Sequence, residues 1–340
     1  MSEPAFPDAR LQDQVVPVMA GATDPGQPEL ALHPVQPRLR PGQVIATVIV
    51  VLLLVWISYG VAANSHFEWG KFGHWFTTSV IISGLWVTLE VTGWSALLGI
   101  VLGVLLAVAR LSRNSLWRAV SWLYIWFFRS IPLVLLLLIL YNLSYFYPRI
   151  GIGIPFGPTF GGGSTTHLLS SAMLMGVLGL GLNEAAYAAE LVRGGILSVD
   201  HGQIEAANAL GLSYGRQLRR VILPQALRVI IPGYVNQVIG LIKSSSLVYY
   251  VSLLDIFSQV FLLESRFPTD VVPLLLVGAA WYLILTAILS VVQYYLERLL
   301  ARGAVRTLPP TPWQNLRASG RSAWALTGDL RTRIMQESAR

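Results

Sequence analysis

Six apolar runs, each long enough to cross a lipid bilayer, constrain this chain more than any other feature. They are Val44–Ala63, Thr77–Ala109, Ala119–Tyr147, Leu168–Val192, Ile230–Leu263 and Val271–Leu296. A hydrocarbon core about 30 Å thick takes about 20 residues of helix. Within it, every backbone N–H and C=O must find its partner inside the protein, which favours helices. The expected fold is therefore all-α and polytopic, with about six transmembrane helices. The second and fifth runs exceed one span, so they tilt, project into water or break. Gly93 and the run Lys243-Ser244-Ser245-Ser246 are the expected break points. The first run is not a signal sequence, because more than 40 residues precede it and its apolar core is too long.

Composition agrees. Hydrophobic residues make up 54% of the 340 and charged residues 12%, against about a quarter charged in soluble chains. That balance excludes a disordered chain, a coiled coil and a nucleic-acid arm. With no cysteine there is no disulfide frame, thiolate nucleophile or Cys-bound metal. Five histidines without an H-x-x-H pair make a metal enzyme unexpected.

Lys and Arg alternate in number from one connection to the next. Three lie in the N-terminal tail, three between the second and third runs, five between the fourth and fifth, and eight from Arg298 onward. The three intervening connections hold one each, Lys71, Arg149 and Arg266. By the positive-inside rule both termini face the cytoplasm, and the net charge of +7 records topology rather than nucleic-acid binding. Residues 1–43, rich in Pro and Gln, and the basic tail 300–340 are expected to lack regular structure. The Gly-rich outer connection Tyr147–His167 is expected to be flexible.

The long cytoplasmic connection, 197–229, carries the most informative pattern. Ile204 to Leu210 has helix-forming composition, and Gly211 supplies a break because it tolerates positive φ. Leu212, Leu218, Val221 and Ile222 give a second short helix an apolar face, leaving Arg216, Arg219 and Arg220 toward water or headgroups. The result is a helix–turn–helix knob whose small Ala206 and Ala207 permit close approach.

Glu205-Ala206-Ala207, Gly211, then nine residues and Val221-Ile222-Leu223-Pro224 resemble the E-A-A-x-x-x-G-(nine)-I-x-L-P signature of ATP-binding cassette importer permeases, with Val221 in place of Ile. Three further runs are similar to the polar-amino-acid group of that family. They are Phe128-Arg129-Ser130-Ile131-Pro132-Leu133, Ala186-Tyr187-Ala188-Ala189-Glu190 with Arg193-Gly194-Gly195-Ile196, and Lys243-Ser244-Ser245-Ser246-Leu247. Ser130, Ile131, Leu136 and Ser244 depart from the group's usual residues. The resemblance covers roughly Thr77 to Leu299. It implies a five-helix importer core in a bacterial cytoplasmic membrane, with Val44–Ala63 as an extra N-terminal span.

It further implies that Glu205, Ala206, Ala207, Gly211, Leu223 and Pro224 dock on a separate ATPase subunit, which holds the ATP and Mg. This chain has no cofactor of its own and no G-x-x-x-x-G-K-[ST] loop. The remaining implied partners are a second permease copy or a paralogue, an extracytoplasmic solute-binding protein and membrane lipid. No nucleic acid is implied.

Ionisable groups at membrane depth are functional candidates because each is costly unless paired or wetted. Glu90, Glu184, Lys243 and Asp255 qualify. Asn183, Tyr187 and Glu190 form one helical stripe, and Glu190 with Arg193 makes an i, i+3 ion pair. The expected substrate path comprises Asn183, Glu184, Tyr187, Asn236, Gln237, Lys243, Ser244, Ser245 and Asp255. Arg129 or Lys243 would be the counter-ion if Glu184 or Asp255 is instead paired between helices. Neutral Gln237 favours a neutral polar amino acid and Glu184 a basic one. Gly99-x-x-x-Gly103 reads as helix packing, and the three serines at 244–246 can alternatively bond back to their own helix. Two other classes compete. An ion-driven secondary transporter has no use for a coupling signature, and an intramembrane hydrolase would need to build on Ser164 and His167.

Overall fold

The computed structural model describes residues 41–153, 159–164 and 171–300. The tails expected to be irregular fall mostly outside these residues, as does His167. Two compact units are distinguished, residues 1–63 and 64–340. In the first, helix α1 runs Pro41–Ala63 without a charged residue, apolar on every side.

The second unit begins with a short amphipathic helix α2, Trp69–Phe76, followed by α3, Ser79–Leu111. At about 1.5 Å per residue α3 is about 50 Å long, which exceeds one bilayer core. Gly93 does not break it. The helix runs through, because one glycine costs only about 1 kcal/mol in a helix interior and the neighbouring packing holds it.

The third apolar run is bent. Helix α4, Ser115–Ser130, and α5, Leu133–Tyr141, meet at 101° around Ile131-Pro132. Pro132 pushes Ile131 into extended backbone (φ −82°, ψ 132°) and so ends α4. A one-turn helix, Leu143–Phe146, leads to an antiparallel hairpin of β1, Arg149–Gly153, and β2, Thr159–Ser164. Part of the connection expected to be flexible is thus a paired ribbon.

Helix α6, Ala172–Leu197, leads into the 198–222 loop and its short helix α7, His201–Ala209. A turn at Tyr214–Gln217 and a π-helical turn, Leu218–Ile222, then enter α8, Leu223–Ser244. The fifth run breaks where Lys243 and the serines stand. The α-helix ends at Ser244, a 3₁₀ stretch covers Ser245–Val251, and α9, Ile256–Arg266, leaves at 51°. Helix α10, Val271–Leu300, closes the bundle. Among the described residues four helices are long and apolar enough to cross a membrane, or up to six if each bent pair is one span.

Helices α3 and α6 form the central pair. A Cβ on Gly99 would lie 2.7 Å from Glu184 Cγ, and one on Gly103 2.6 Å from Ala188 Cβ. Their bare backbone lets the two axes approach, as small residues do where lipid offers no hydrophobic drive for association. At the other end of the bundle from the 198–222 loop, Lys71 bonds Glu68 at 2.6 Å and Asp270 at 2.8 Å, and Trp75 Nε1 donates to Asp270 at 3.0 Å. These contacts tie α2 to the start of α10. The bonded Lys71 and Trp75 hold the Asp270 carboxyl below its usual range, and Asp270 and then Glu68 raise Lys71.

Candidate functional site

The 101° bend opens a cavity of about 520 Å³ between the α4–α5 elbow, the middle of α6 and the far half of α8. Gln237, Gly240, Leu241 and Ser244 share one face of α8 at spacings of three and four. Asn183, Glu184 and Tyr187 supply the opposite wall from α6, and Arg129 and Ser130 come from the end of α4. Asn183 Nδ2 donates to the Phe128 carbonyl at 2.7 Å, one of the carbonyls left open where α4 stops. The Arg129 guanidinium lies 5.2 Å from the centre of the Tyr187 ring, a cation–π arrangement.

Two acceptors in this cavity are unmatched. Glu184 is 7% exposed and its Oε1 has no hydrogen-bond partner among the described residues, and the same holds for the buried Gln237 Oε1. Gly99 packs closely against Glu184, and the Tyr234 hydroxyl beside Gly99 donates to the Ala96 carbonyl. Buried unpaired acceptors are costly, so the two walls are suited to receive donors. No ion pair joins Arg129 to Glu184 or to Asp255 among the described residues.

Five of the expected path residues thus come together: Asn183, Glu184, Tyr187, Gln237 and Ser244. Four do not. Asn236 precedes Gln237, lies about 100° from it around the helix and is exposed. Ser245 is buried and donates to the Ile242 carbonyl at 2.7 Å, and Ser246 likewise to Lys243 at 2.9 Å. Asp255 caps α9, accepting from Ser258 N at 2.9 Å, Ser258 Oγ at 2.6 Å and Tyr282 OH at 3.0 Å. Fully bonded and 0% exposed, it serves the chain turn rather than a ligand. Lys243 opens onto a separate, mostly apolar cavity of about 330 Å³ with Phe257 and Tyr282. The sequence reading had weighed Arg129 only as a counter-ion. Its place in the cavity depends on the Pro132 bend, which turns the end of α4 inward.

The 198–222 loop is a rigid knob. Asp200 caps α7 by accepting from Gly202 N at 2.7 Å. Gly211 takes φ 69°, with open space where a Cβ would stand. Gln217, 7% exposed, donates through Nε2 to Asn208 Oδ1 at 2.6 Å and to the Leu212 carbonyl at 2.8 Å, clamping α7 to the following turn. Glu205, Ala206, Gly211, Leu223 and Pro224 are exposed, whereas Ala207 is buried inside the knob. Leu210 and Tyr214, 79% and 73% exposed, put bare apolar surface at the tip. At the knob's base Arg193 Nη2 meets Glu190 Oε2 at 2.7 Å.

With this geometry in place, comparison with known proteins is informative. Residues 99–302 match the family model described as binding-protein-dependent transport system inner membrane component. The arginine transport system permease protein ArgU of Corynebacterium glutamicum is 40% identical over 275 residues, covering 80% of this chain and 84% of that protein. That match is longer than Thr77–Leu299, so likeness extends past the stretch on which the sequence resemblance rests. The arginine transport system permease protein ArtQ of Bacillus subtilis is 33% identical, covering 65% of this chain and 92% of that one. The glutamate/aspartate import permease protein GltK of Escherichia coli O157:H7 is 34% identical, covering 64% and 92%. A solved amino acid ABC transporter with histidines superposes with a TM-score of 0.55 at 31% identity, covering 64% of this chain and 93% of that chain. The bent-helix bundle, the protruding knob and these relatives agree, and the chain belongs to the family of binding-protein-dependent transport system inner membrane components, the multi-pass permeases of ABC transport systems.

Proposed function

We propose that this chain is the translocation subunit of an ABC importer for amino acids whose side chains carry nitrogen donors, arginine foremost. The observation that carries the reading is the pairing of unmatched groups across the 520 Å³ cavity. A free amino acid brings an ammonium, a carboxylate and a side chain. Glu184 offers its carboxylate to the ammonium, the Arg129 guanidinium takes the carboxylate, and Gln237 Oε1 remains for a side-chain N–H. An acidic side chain would meet Glu184 and Gln237 with no donor to give. The 40% identical relative is named for arginine, which agrees.

Hydrolysis of ATP belongs, on this proposal, to a partner subunit that binds ATP and Mg and receives the Leu210, Tyr214 and Ala206 surface of the knob. A second permease copy or paralogue faces the cavity, and a solute-binding protein delivers substrate from outside. Both termini and the knob lie in the cytoplasm on this reading, which the Lys and Arg distribution supports. The test is uptake of labelled arginine by cells or vesicles holding the whole transporter, in competition with glutamine, glutamate and lysine. Glu184→Gln removes one charge–hydrogen bond and should raise the apparent KM about tenfold or more, since such bonds contribute about 1.5–3 kcal/mol. Glutamate competing as well as arginine, or a Glu184→Gln variant with unchanged KM, would overturn the assignment.

A further inference from the structure

A second polar cavity, about 450 Å³, lies beside the first, across the Arg129–Tyr187 contact and nearer the knob. Three guanidinium groups line it, Arg110 from the end of α3, Arg129 from α4 and Arg193 from α6, against the single carboxylate of Glu190. Arg193 spends Nε and Nη2 on one oxygen of Glu190, at 3.0 and 2.7 Å. Arg110 and Arg129 have no ion pair among the described residues. Even with Arg129 given to the substrate carboxylate in the first cavity, Arg110 stands uncompensated in this pocket, an arrangement that calls for an anion.

The rim identifies which anion. Trp122 and Trp126 line the cavity and stack on each other, with centroids 6.2 Å apart and planes within 12°. Both are exposed, in line with Trp117, Leu123 and Phe127 on the outer face of α4. A water-soluble anion gains nothing from such a wall. A lipid gains twice, because its acyl chains lie along the apolar face while its headgroup enters the guanidinium cluster, and indole rings favour that interfacial depth. The floor is firm, since Ser121 Oγ donates to the Leu106 carbonyl at 2.8 Å and locks α4 to α3 beneath it.

We propose that this cavity binds the phosphate headgroup of an anionic phospholipid in the leaflet on the knob's side, which is the cytoplasmic leaflet on the orientation proposed above. The site sits on α6 between the substrate cavity and the Glu190–Arg193 base of the knob, so an occupied site braces the helix that joins the two. The experiment takes the full-length permease with its co-purified subunits into nanodiscs of phosphatidylcholine containing phosphatidylglycerol. Native mass spectrometry then counts the lipids retained. Wild type should keep phosphatidylglycerol in preference to phosphatidylcholine, and Arg110→Gln should cut that preference about fivefold, the worth of about one basic residue near an anionic surface. Arg110→Lys should restore most of it, and Trp122→Ala should weaken it.

Equal retention of the two lipids by wild type, or an unchanged preference in Arg110→Gln, would overturn the proposal. So would loss of the preference on adding inorganic phosphate, which would mark a free-anion site. Because the chain has no cysteine, a Ser213→Cys variant reports the side of the knob by impermeant maleimide labelling. Labelling from outside would overturn the orientation alone and leave the lipid preference standing, so the two failures are distinguishable.

Discussion

Replacing Gln217 should uncouple the transporter without emptying its substrate cavity. Gln217 lies at the heart of the knob, and its one amide nitrogen bonds both Asn208 and the Leu212 carbonyl. Gln217→Glu keeps shape and volume but turns the donor into an acceptor facing two acceptors. Each lost hydrogen bond costs about 0.5–1.5 kcal/mol net, and more where a buried acceptor is left bare. The two together come to about 2 kcal/mol, so the closed form of the knob should open about 30-fold more often. Hydrogen exchange reads this directly, as faster exchange of the Leu210 to Gln217 amides with α6 and α10 unchanged. Substrate-stimulated ATP hydrolysis by the reconstituted transporter should fall by at least tenfold, while basal hydrolysis and the apparent affinity for substrate stay near wild type. Gln217→Met, which removes the donor without adding a charge, should show the same direction at smaller size. Unchanged exchange in Gln217→Glu would refute the clamp, and faster exchange with intact stimulation would refute its part in coupling.

The remaining expectations concern docking, packing and pH. Leu210→Arg places a charge on the exposed tip of the knob and should abolish co-purification of the ATPase subunit while membrane insertion stays normal. Gly103→Val puts a branched Cβ within 3.1 Å of the Ala185 carbonyl and the Ala189 nitrogen, backbone that cannot swing aside. It should destabilise the α3–α6 pair by about 1–3 kcal/mol, seen as a lower melting temperature in detergent, whereas Gly93→Ala, which meets open space, should not. The Lys71–Asp270 contact lowers Asp270 below its ordinary 3.8 and raises Lys71 above its ordinary 10.5. Its contribution is thus whole across neutral pH, fades as pH falls below 3.8 through the folded value, and on the alkaline side fades only above 10.5. Asp270→Asn should flatten the acid limb of a melting-temperature profile and leave the neutral region's shape unaltered.

What the sequence made legible was whatever depends on length, composition or fixed helical spacing. Apolar runs give helices in lipid because no other open structure satisfies the backbone there, and the break at Lys243–Ser246 shows in its polar composition. Gly211 was readable because positive φ is nearly a glycine property. Gly93 misled, since a glycine permits a break without causing one. The substrate path was half readable. Along α8 the polar candidates Asn236, Gln237, Lys243 and Ser244 fall within about a third of a turn of one another, and only packing decides that Gln237 and Ser244 face the cavity while Asn236 does not. Asp255 looked like a buried charge seeking a ligand, yet three local donors already satisfy it. Arg129 was missed as a lining residue because its direction depends on the bend angle at Pro132, which sequence does not encode locally.

The arrangement explains how a distant knob can govern a membrane cavity. The two helices that enclose the loop, α6 and α8, are the ones that carry Glu184, at mid-helix, and Gln237, in the half away from the loop. Between loop and cavity they are locked to each other: a Cβ on Gly195 would fall 2.4 Å from Ile230 Cγ1, and Val192, Val199, Ile222, Ala226 and Ile230 form one buried cluster at the base. Close-packed helices of this kind transmit displacement instead of absorbing it. From Leu197 back to Tyr187 is about 15 Å of continuous helix, with no proline or bulge to dissipate a tilt. The α8 branch differs. It begins at a π-helical turn and contains Pro232, both features at which helices bend. On the proposed function, a push on the knob would move the α6 wall as a lever while the α8 wall flexes near Pro232. The cavity's two unmatched acceptors, one on each wall, would then change their separation, so that a substrate bridging them is held in one position of the knob and released in the other.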